Sequence, residues 1–249
     1  MTLKMKKTLI AGAVLCGLTT QSVFAAIALD RTRVIYDGGQ KSLSLNVSNE
    51  NKQLPYLAQG WIEDAQGNKI TTPLTVLPPV QRIEPGAKSQ VKVQGLPAAN
   101  LLAQDRESLF YFNLREIPPR SDKPNTLQIA LQTRIKLFYR PKALMTTTGE
   151  QPWQEKITLS KQGDSYVVNN PTPYFVTLVD GSRTVKGESA KGFEPLMVEP
   201  KGKGTLKARA SALGNSPVLT YINDYGGRPQ LRFSCSGSSC QAIPVQDSH

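Results

Sequence analysis

Histidine and cysteine, which often act as catalytic bases, nucleophiles or metal ligands, are few in this sequence of 249 residues. Its single histidine is the last residue, His249. Ser-His-Asp and Cys-His catalysis both need an imidazole held between a nucleophile and a carboxylate, so neither arrangement has its base. The segment GKGTLK contains G-x-G but lacks the third glycine and the strand-to-helix context of a nucleotide-binding loop. We therefore expect no catalytic site, no metal site and no cofactor.

The cysteines indicate a structural disulfide bond. The chain has three cysteines, and Cys16 lies in an N-terminal segment with the features of a cleaved leader. The other two, Cys235 and Cys240, enclose the sequence SGSS, which suits a hairpin turn. An even count in an exported chain predicts a disulfide between them. A loop this small contributes roughly 2 kcal/mol in the chain-entropy model.

Residues 1–25 have the pattern of a secretory signal peptide. Three lysines precede an apolar run at 9–18, and Val23 and Ala25 occupy the −3 and −1 positions of a cleavage site. The apolar run is shorter than the roughly 20 residues that span a bilayer. We expect the mature chain to begin at Ala26 and to be exported.

The charge balance is basic. The formal net charge is +11, and loss of the three leader lysines leaves +8. A basic exported protein is suited to an acidic protein partner or an anionic membrane. No stripe of Lys and Arg with interleaved aromatic residues is evident, so we expect no nucleic-acid partner. General solubility is the simplest interpretation of this charge.

Apolar residues alternate with polar ones in short pieces bounded by Gly, Pro, Asn and Asp, which predicts an all-β protein. The pieces before residue 141 are 27–35, 42–48, 56–62, 74–83, 88–93, 109–116 and 127–139. A proline-flanked segment, 141–152, is a plausible linker. The same style then continues to the C-terminus. We predict two tandem immunoglobulin-like β-sandwich domains, 26–143 and 144–249.

The most distinctive piece is LQIALQTRIKLFYRP, residues 127–141. Its odd-numbered positions are almost all apolar and its even-numbered positions are mostly polar, so it predicts a strand about twice the usual length. We call residues 127–140 the ribbon. Its pattern fits an ordinary buried strand, and it also fits an open edge that pairs with a partner's strand. Lys136 has the opposite parity from Leu127, so it should leave the opposite face unless a bulge intervenes.

Several segments resemble one family. LAQDRESLFYFNLREIP at 102–118 is similar to the signature segment of the periplasmic pilus chaperones, the PapD-like group. LDRTRVIYDG at 29–38, IALQTRIKLFYRP at 129–141 and YINDYGGRP at 221–229 resemble the same family. The resemblance implies a boomerang of two immunoglobulin-like domains with a cleft between them. It also implies that the ribbon is lent to an incomplete pilus subunit in the periplasm.

Three groups of residues in this sequence match functional residues of the family. Leu127, Ile129 and Leu131 match the alternating residues of the donor strand. Arg33 and Lys136 match the cleft pair that holds the subunit's C-terminal carboxylate, an anion that charge-assisted donors bind well. A network of charges that bridges the two domains is matched by Glu107, Arg140 and Asp224.

The resemblance implies a non-enzymatic, ATP-independent chaperone. Such a protein caps pilus subunits by donor-strand complementation and delivers them to an outer-membrane usher. An open strand edge also favours self-dimers of the free protein at high concentration. The alternatives are a pilus subunit or another exported β-sandwich binding protein, such as a carbohydrate-binding one. An exported enzyme is disfavoured because the only histidine is terminal.

Overall fold

A computed structural model describes residues 25–147 and 149–245 of the chain. The predicted signal peptide lies outside the described residues, apart from Ala25. The described part is almost entirely β-structure, as the alternation predicts. None of its helices is long and apolar enough to cross a membrane.

Within residues 25–147, ten strands form the first domain: β1 (Ile27–Leu29), β2 (Arg33–Asp37), β3 (Ser42–Asn49), β4 (Tyr56–Glu63), β5 (Lys69–Ile70), β6 (Leu74–Leu77), β7 (Val80–Ile83), β8 (Lys88–Gly95), β9 (Ser108–Ile117) and β10 (Gln132–Arg140). Two short 3₁₀ helices accompany them, Pro97–Leu101 and Lys142–Leu144.

These strands form two facing sheets. One has the order β1-β3-β8-β6, and the other has the order β2-β10-β9-β4-β5 with β7 also paired to β4. The core lies between them, with Leu45 and Val91 from the first sheet and Phe112 and Leu137 from the second, all fully buried. Alternation places every second residue of each strand on this inner face, which is the sandwich that the sequence predicts.

Within residues 149–245, eight strands form the second domain: β11 (Thr158–Gln162), β12 (Ser165–Asn169), β13 (Val176–Ser182), β14 (Leu196–Val198), β15 (Lys203–Thr205), β16 (Val218–Tyr221), β17 (Gln230–Ser236) and β18 (Ser239–Pro244). A 3₁₀ helix at Trp153–Lys156 precedes them, and a one-turn α-helix, α1 (Ala210–Leu213), lies between β15 and β16.

The second domain wraps around its own core. Its strands follow one hydrogen-bonded path, β14-β13-β16-β17-β18-β11-β12-β15. The two ends of this path lie side by side, since a Cβ added at Gly204 would stand 3.1 Å from the side chain of Leu196. Tyr166, Leu219 and Phe233 are buried inside. The two layers expected of a sandwich are therefore joined into one curled sheet.

Three predicted strands have different limits in the structure. The piece 27–35 divides into β1 and β2, which belong to different sheets. The piece 74–83 divides at two prolines, 78 and 79, which lack the N–H groups that a continuous strand needs. The ribbon becomes a strand only at Gln132, so the expected strand over 127–139 is wrong for its first five residues.

Candidate functional site

The edges of the ribbon divide it into three parts. From Lys136 to Tyr139 it is paired with β2, in parallel, and with β9, antiparallel, and Arg140 is paired with β2 alone. Residues 132–135 are paired with β9 alone. Among the described residues, no backbone hydrogen bond reaches residues 127–130, and the carbonyl of Leu131 accepts one from the N–H of Glu116. The number of open edges thus rises from none to two toward residue 127.

The three residues matched to the donor strand lie in this unpaired part. The side chain of Leu127 is 84% exposed and that of Ile129 is 63% exposed, while Leu131 is half-buried. Large aliphatic side chains with unpaired backbone on both sides are a surface that soluble proteins normally avoid. The structure therefore leaves this segment both apolar and available.

Lys136 and Arg33 lie together where the open edge ends. They are direct partners in the pairing of β10 with β2, and Arg33 is the first residue of β2. Lys136 follows the parity of the strand without a bulge, so it leaves the face opposite to Ile135 and Leu137, which point into the core. That face looks toward the second domain, where the Lys136 ammonium lies 3.5 Å from the hydroxyl of Thr177.

The two cations are poorly neutralised. Among the described residues, neither Arg33 nor Lys136 has a carboxylate within 4.0 Å. The guanidinium of Arg33 donates to the carbonyl of Ile222 at 3.3 Å, but its Nε is buried and has no hydrogen-bond partner there. Burial lowers the pKa of both groups, and the proximity of Arg33 lowers that of Lys136 further. Such a pair has unused capacity for an anion.

The predicted interdomain charges form one network around Arg140, which is 1% exposed. Its guanidinium donates to Glu107 at 2.8 Å and to both carboxylate oxygens of Asp224 at 2.7 and 3.1 Å. Glu107 belongs to the first domain and accepts a hydrogen bond from the N–H of Phe175 in the second, at 2.8 Å. Asp224 also comes from the second domain, so Arg140 holds the two domains together through both acids.

Burial and ion pairing shift the pKa values of Glu107 and Arg140 in this network. It raises the pKa of Glu107 to about 7, although Arg140 and the N–H of Phe175 act to lower it. For Arg140, burial acts to lower the pKa, but the bonds to Asp224 and Glu107 raise it. The guanidinium is therefore held charged in a site with little water.

The remaining predicted residues are the cysteines. Cys235 and Cys240 form a disulfide across the β17–β18 hairpin. In the described part of the chain, no group of three or more His, Cys, Asp or Glu side chains is placed to hold a metal ion.

Some residues of the cleft carried no signal in the sequence. The ring of Phe138 lies 5.4 Å from that of Phe175, which joins the domains beside Lys136. The carbonyl of Ile222 and the hydroxyl of Thr177 meet the two cations from the second domain. These contacts join residues far apart in the chain, and only the spacing of β13 and β16 in the folded domain brings them there.

The family comparison agrees with this architecture. Residues 26–145 match the family model of the pili and flagellar-assembly chaperone PapD N-terminal domain. Residues 152–233 match that of the pili assembly chaperone PapD C-terminal domain. The chain therefore belongs to the PapD-like family of pilus-assembly chaperones. The predicted boundary between residues 143 and 144 stays a prediction.

Individual relatives are similar over nearly their whole length. The chain is 55% identical to the probable fimbrial chaperone YfcS of Escherichia coli K12, over 94% of this chain and 92% of that one. It is 55% identical to the chaperone protein PapD of Escherichia coli, over 87% and 89%. The family and these relatives are chaperones and not enzymes.

Solved structures share the fold. The periplasmic chaperone SfaE has a TM-score of 0.65 at 34% identity, covering 83% of this chain and 98% of its own. The SafB chaperone of Salmonella enterica, solved in complex with the SafA pilin, has a TM-score of 0.69 at 26% identity, covering 90% and 99%. Two immunoglobulin-like domains in the chaperone arrangement are thus established for this chain.

Proposed function

We propose that this protein is a periplasmic, ATP-independent chaperone that caps pilus subunits by donor-strand complementation and delivers them to an outer-membrane usher. The observation that carries the proposal is the apolar ribbon whose open edge ends at Arg33 and Lys136, two cations without a carboxylate within 4.0 Å among the described residues. Strand addition to an open edge is a general mode of recognition, and chaperone–pilin complexes are themselves among its known examples.

The pairing of β2 with β10 supports a parallel direction for the incoming strand. β2 runs parallel to β10 and covers its edge only from Lys136 onward. A subunit strand added upstream would lie in line with β2 and would meet it at Arg33. If that strand is also parallel to β10, its C-terminal end is the one that reaches Arg33 and Lys136. A terminal carboxylate there would accept charge-assisted hydrogen bonds from both cations.

The two parts of the site have different roles in this account. Burial of Leu127 and Ile129 in a subunit would contribute roughly 1.5–3 kcal/mol each, before the costs of association are subtracted. An alternating strand can slip by two residues and still bury the same face. The carboxylate held by Lys136 and Arg33 would remove that freedom and fix the register.

Periplasmic action and self-association belong to the same proposal. The signal-peptide pattern at 1–25 and the disulfide at Cys235–Cys240 support export to an oxidising compartment. SfaE, a similar protein, is itself a periplasmic chaperone. The same open edge that takes a subunit strand would let two free molecules pair at high concentration.

The test replaces the anchoring cation. Lys136→Ala should give a folded, soluble protein that no longer retains co-expressed pilus subunits, because a lost partner in a desolvated charge pair costs about 2–5 kcal/mol of binding free energy. Lys92→Ala, an exposed lysine on the other sheet, is the matched control and should retain subunits fully. Normal retention by Lys136→Ala would refute the anchoring role.

A further inference from the structure

Residues 127–130 lie beside the extension of a strand that they could pair with, yet among the described residues they make no backbone hydrogen bond. The register of β9 with β10 places Gln132 opposite Arg115. Continuing that register by three places puts Ile129 opposite Pro118, and by four puts Gln128 opposite Pro119. The side chain of Gln128 donates to the Pro119 carbonyl and accepts from the N–H of Ser121 at 3.3 Å. The segment therefore lies beside the extension of β9 in the expected register.

The alternation of hydrogen bonds shows which proline prevents pairing. In an antiparallel pair, opposite residues alternate between exchanging two backbone hydrogen bonds and exchanging none. Glu116 donates to Leu131, so that pair is a bonded one, and the next bonded pair would be Pro118 with Ile129. Pro118 has no N–H to donate. Pro119 would stand in a non-bonded pair, and the backbone groups of residues in such pairs point away from the ribbon.

We propose that Pro118 is a positioning residue that keeps the second edge of the donor segment open. This inference rests on the proposed function, because a strand that completes a subunit's sheet in a groove between two strands needs both of its edges. Without Pro118, the hairpin of β9 and β10 would close as far as Ile129 and occupy one edge. Gln128 then holds the segment nearby through side-chain contacts, which can be exchanged for a partner without breaking a backbone ladder.

The test restores the missing donor. The new N–H of Pro118→Val should donate to the carbonyl of Ile129 and close the bonded pair, in which the N–H of Ile129 donates in return to the carbonyl of residue 118. The amide of Ile129 in the free protein should then exchange with solvent at least about fivefold more slowly than in wild type. Pro119→Val is the matched control, since its new N–H points away from the ribbon, and the Ile129 amide should exchange as in wild type. Pro118→Ala restores the same donor with the smallest side chain, and replaces Pro118→Val if that variant does not fold.

The outcomes separate this inference from the function on which it rests. Unchanged exchange at Ile129 in the Pro118 variant, or equal slowing in Pro119→Val, would overturn the role of Pro118. A parallel pull-down of co-expressed pilus subunits should show weaker retention by Pro118→Val than by wild type. Ile129→Asp in the same pull-down tests the proposed function itself, because full retention by that variant would refute strand donation whatever the exchange data show.

Discussion

Residues 127–131 and 136–140 belong to one alternating ribbon, but their surroundings are opposite. In the first part, only Leu131 has a backbone hydrogen bond to a neighbouring strand, and the side chains of Leu127 and Ile129 are exposed. The second part is paired with β2 and β9, and its last four residues are buried on both faces, one by the core and the other by the second domain. Alternation determines which side chains share a face. The neighbouring strands determine whether that face is buried within this protein or exposed to a partner.

The largest expected difference along the ribbon concerns stability. Arg140→Ala should lower the free energy of unfolding by about 3–5 kcal/mol, because it leaves Glu107 and Asp224 buried or half-buried without their cation. Arg134→Ala, at the exposed end of the same strand, should cost at most about 1 kcal/mol, since the Arg134 side chain is 40% exposed and its ion pair with Glu63 is open to water on that side. Urea unfolding of the two variants would show the contrast, and equal losses would contradict it.

Truncation of one apolar side chain in each part should separate stability from binding. Leu137→Ala removes a fully buried core residue and should cost about 2–5 kcal/mol of stability. Ile129→Ala should change stability by no more than about 0.5 kcal/mol but should weaken retention of pilus subunits. Thermal unfolding and subunit pull-down on both variants test whether Leu137→Ala loses stability while Ile129→Ala loses subunit binding. It fails if Ile129→Ala destabilises the free protein as much as Leu137→Ala does.

The smallest expected effect is a pH dependence that belongs to the buried part alone, since residues 127–131 contain no titratable side chain. The pKa of Glu107 is raised from 4.5 to about 7, so between those values the folded protein holds a proton that the unfolded chain has released. The unfolding free energy of wild type relative to Glu107→Gln should therefore fall as pH rises through that window, by on the order of 1–3 kcal/mol. A flat or rising difference would contradict this assignment.

Much of the fold followed from the sequence. Period-2 alternation between turn residues predicted the strands of both domains, and the spacing of Cys235 and Cys240 predicted their hairpin disulfide. The family resemblance placed Glu107, Arg140 and Asp224 in one network, and their distances agree with it. The local pattern predicts these strands because the position of a residue within its strand determines whether its side chain faces the core or the outside.

The limits of the ribbon could not be predicted in this way. Residues 127–131 continue the alternation of β10 unchanged, so nothing in their own types says that pairing stops at Gln132. Pairing depends on a second strand, β9, which ends at Ile117, and Pro118 follows that strand and is not part of the ribbon. The partners of Lys136 and Arg33 are set likewise by the second domain, which supplies Thr177 and Ile222.

The central claim is that residues 127–131 pair with a subunit as a donor strand, while residues 137–139 stay paired within the chaperone. Amide hydrogen exchange on the free chaperone and on its purified complex with a pilus subunit tests it directly. We expect residues 127–131 to exchange fast in the free protein and to become strongly protected in the complex, with residues 137–139 protected in both. Equally fast exchange of residues 127–131 in the complex would contradict the account.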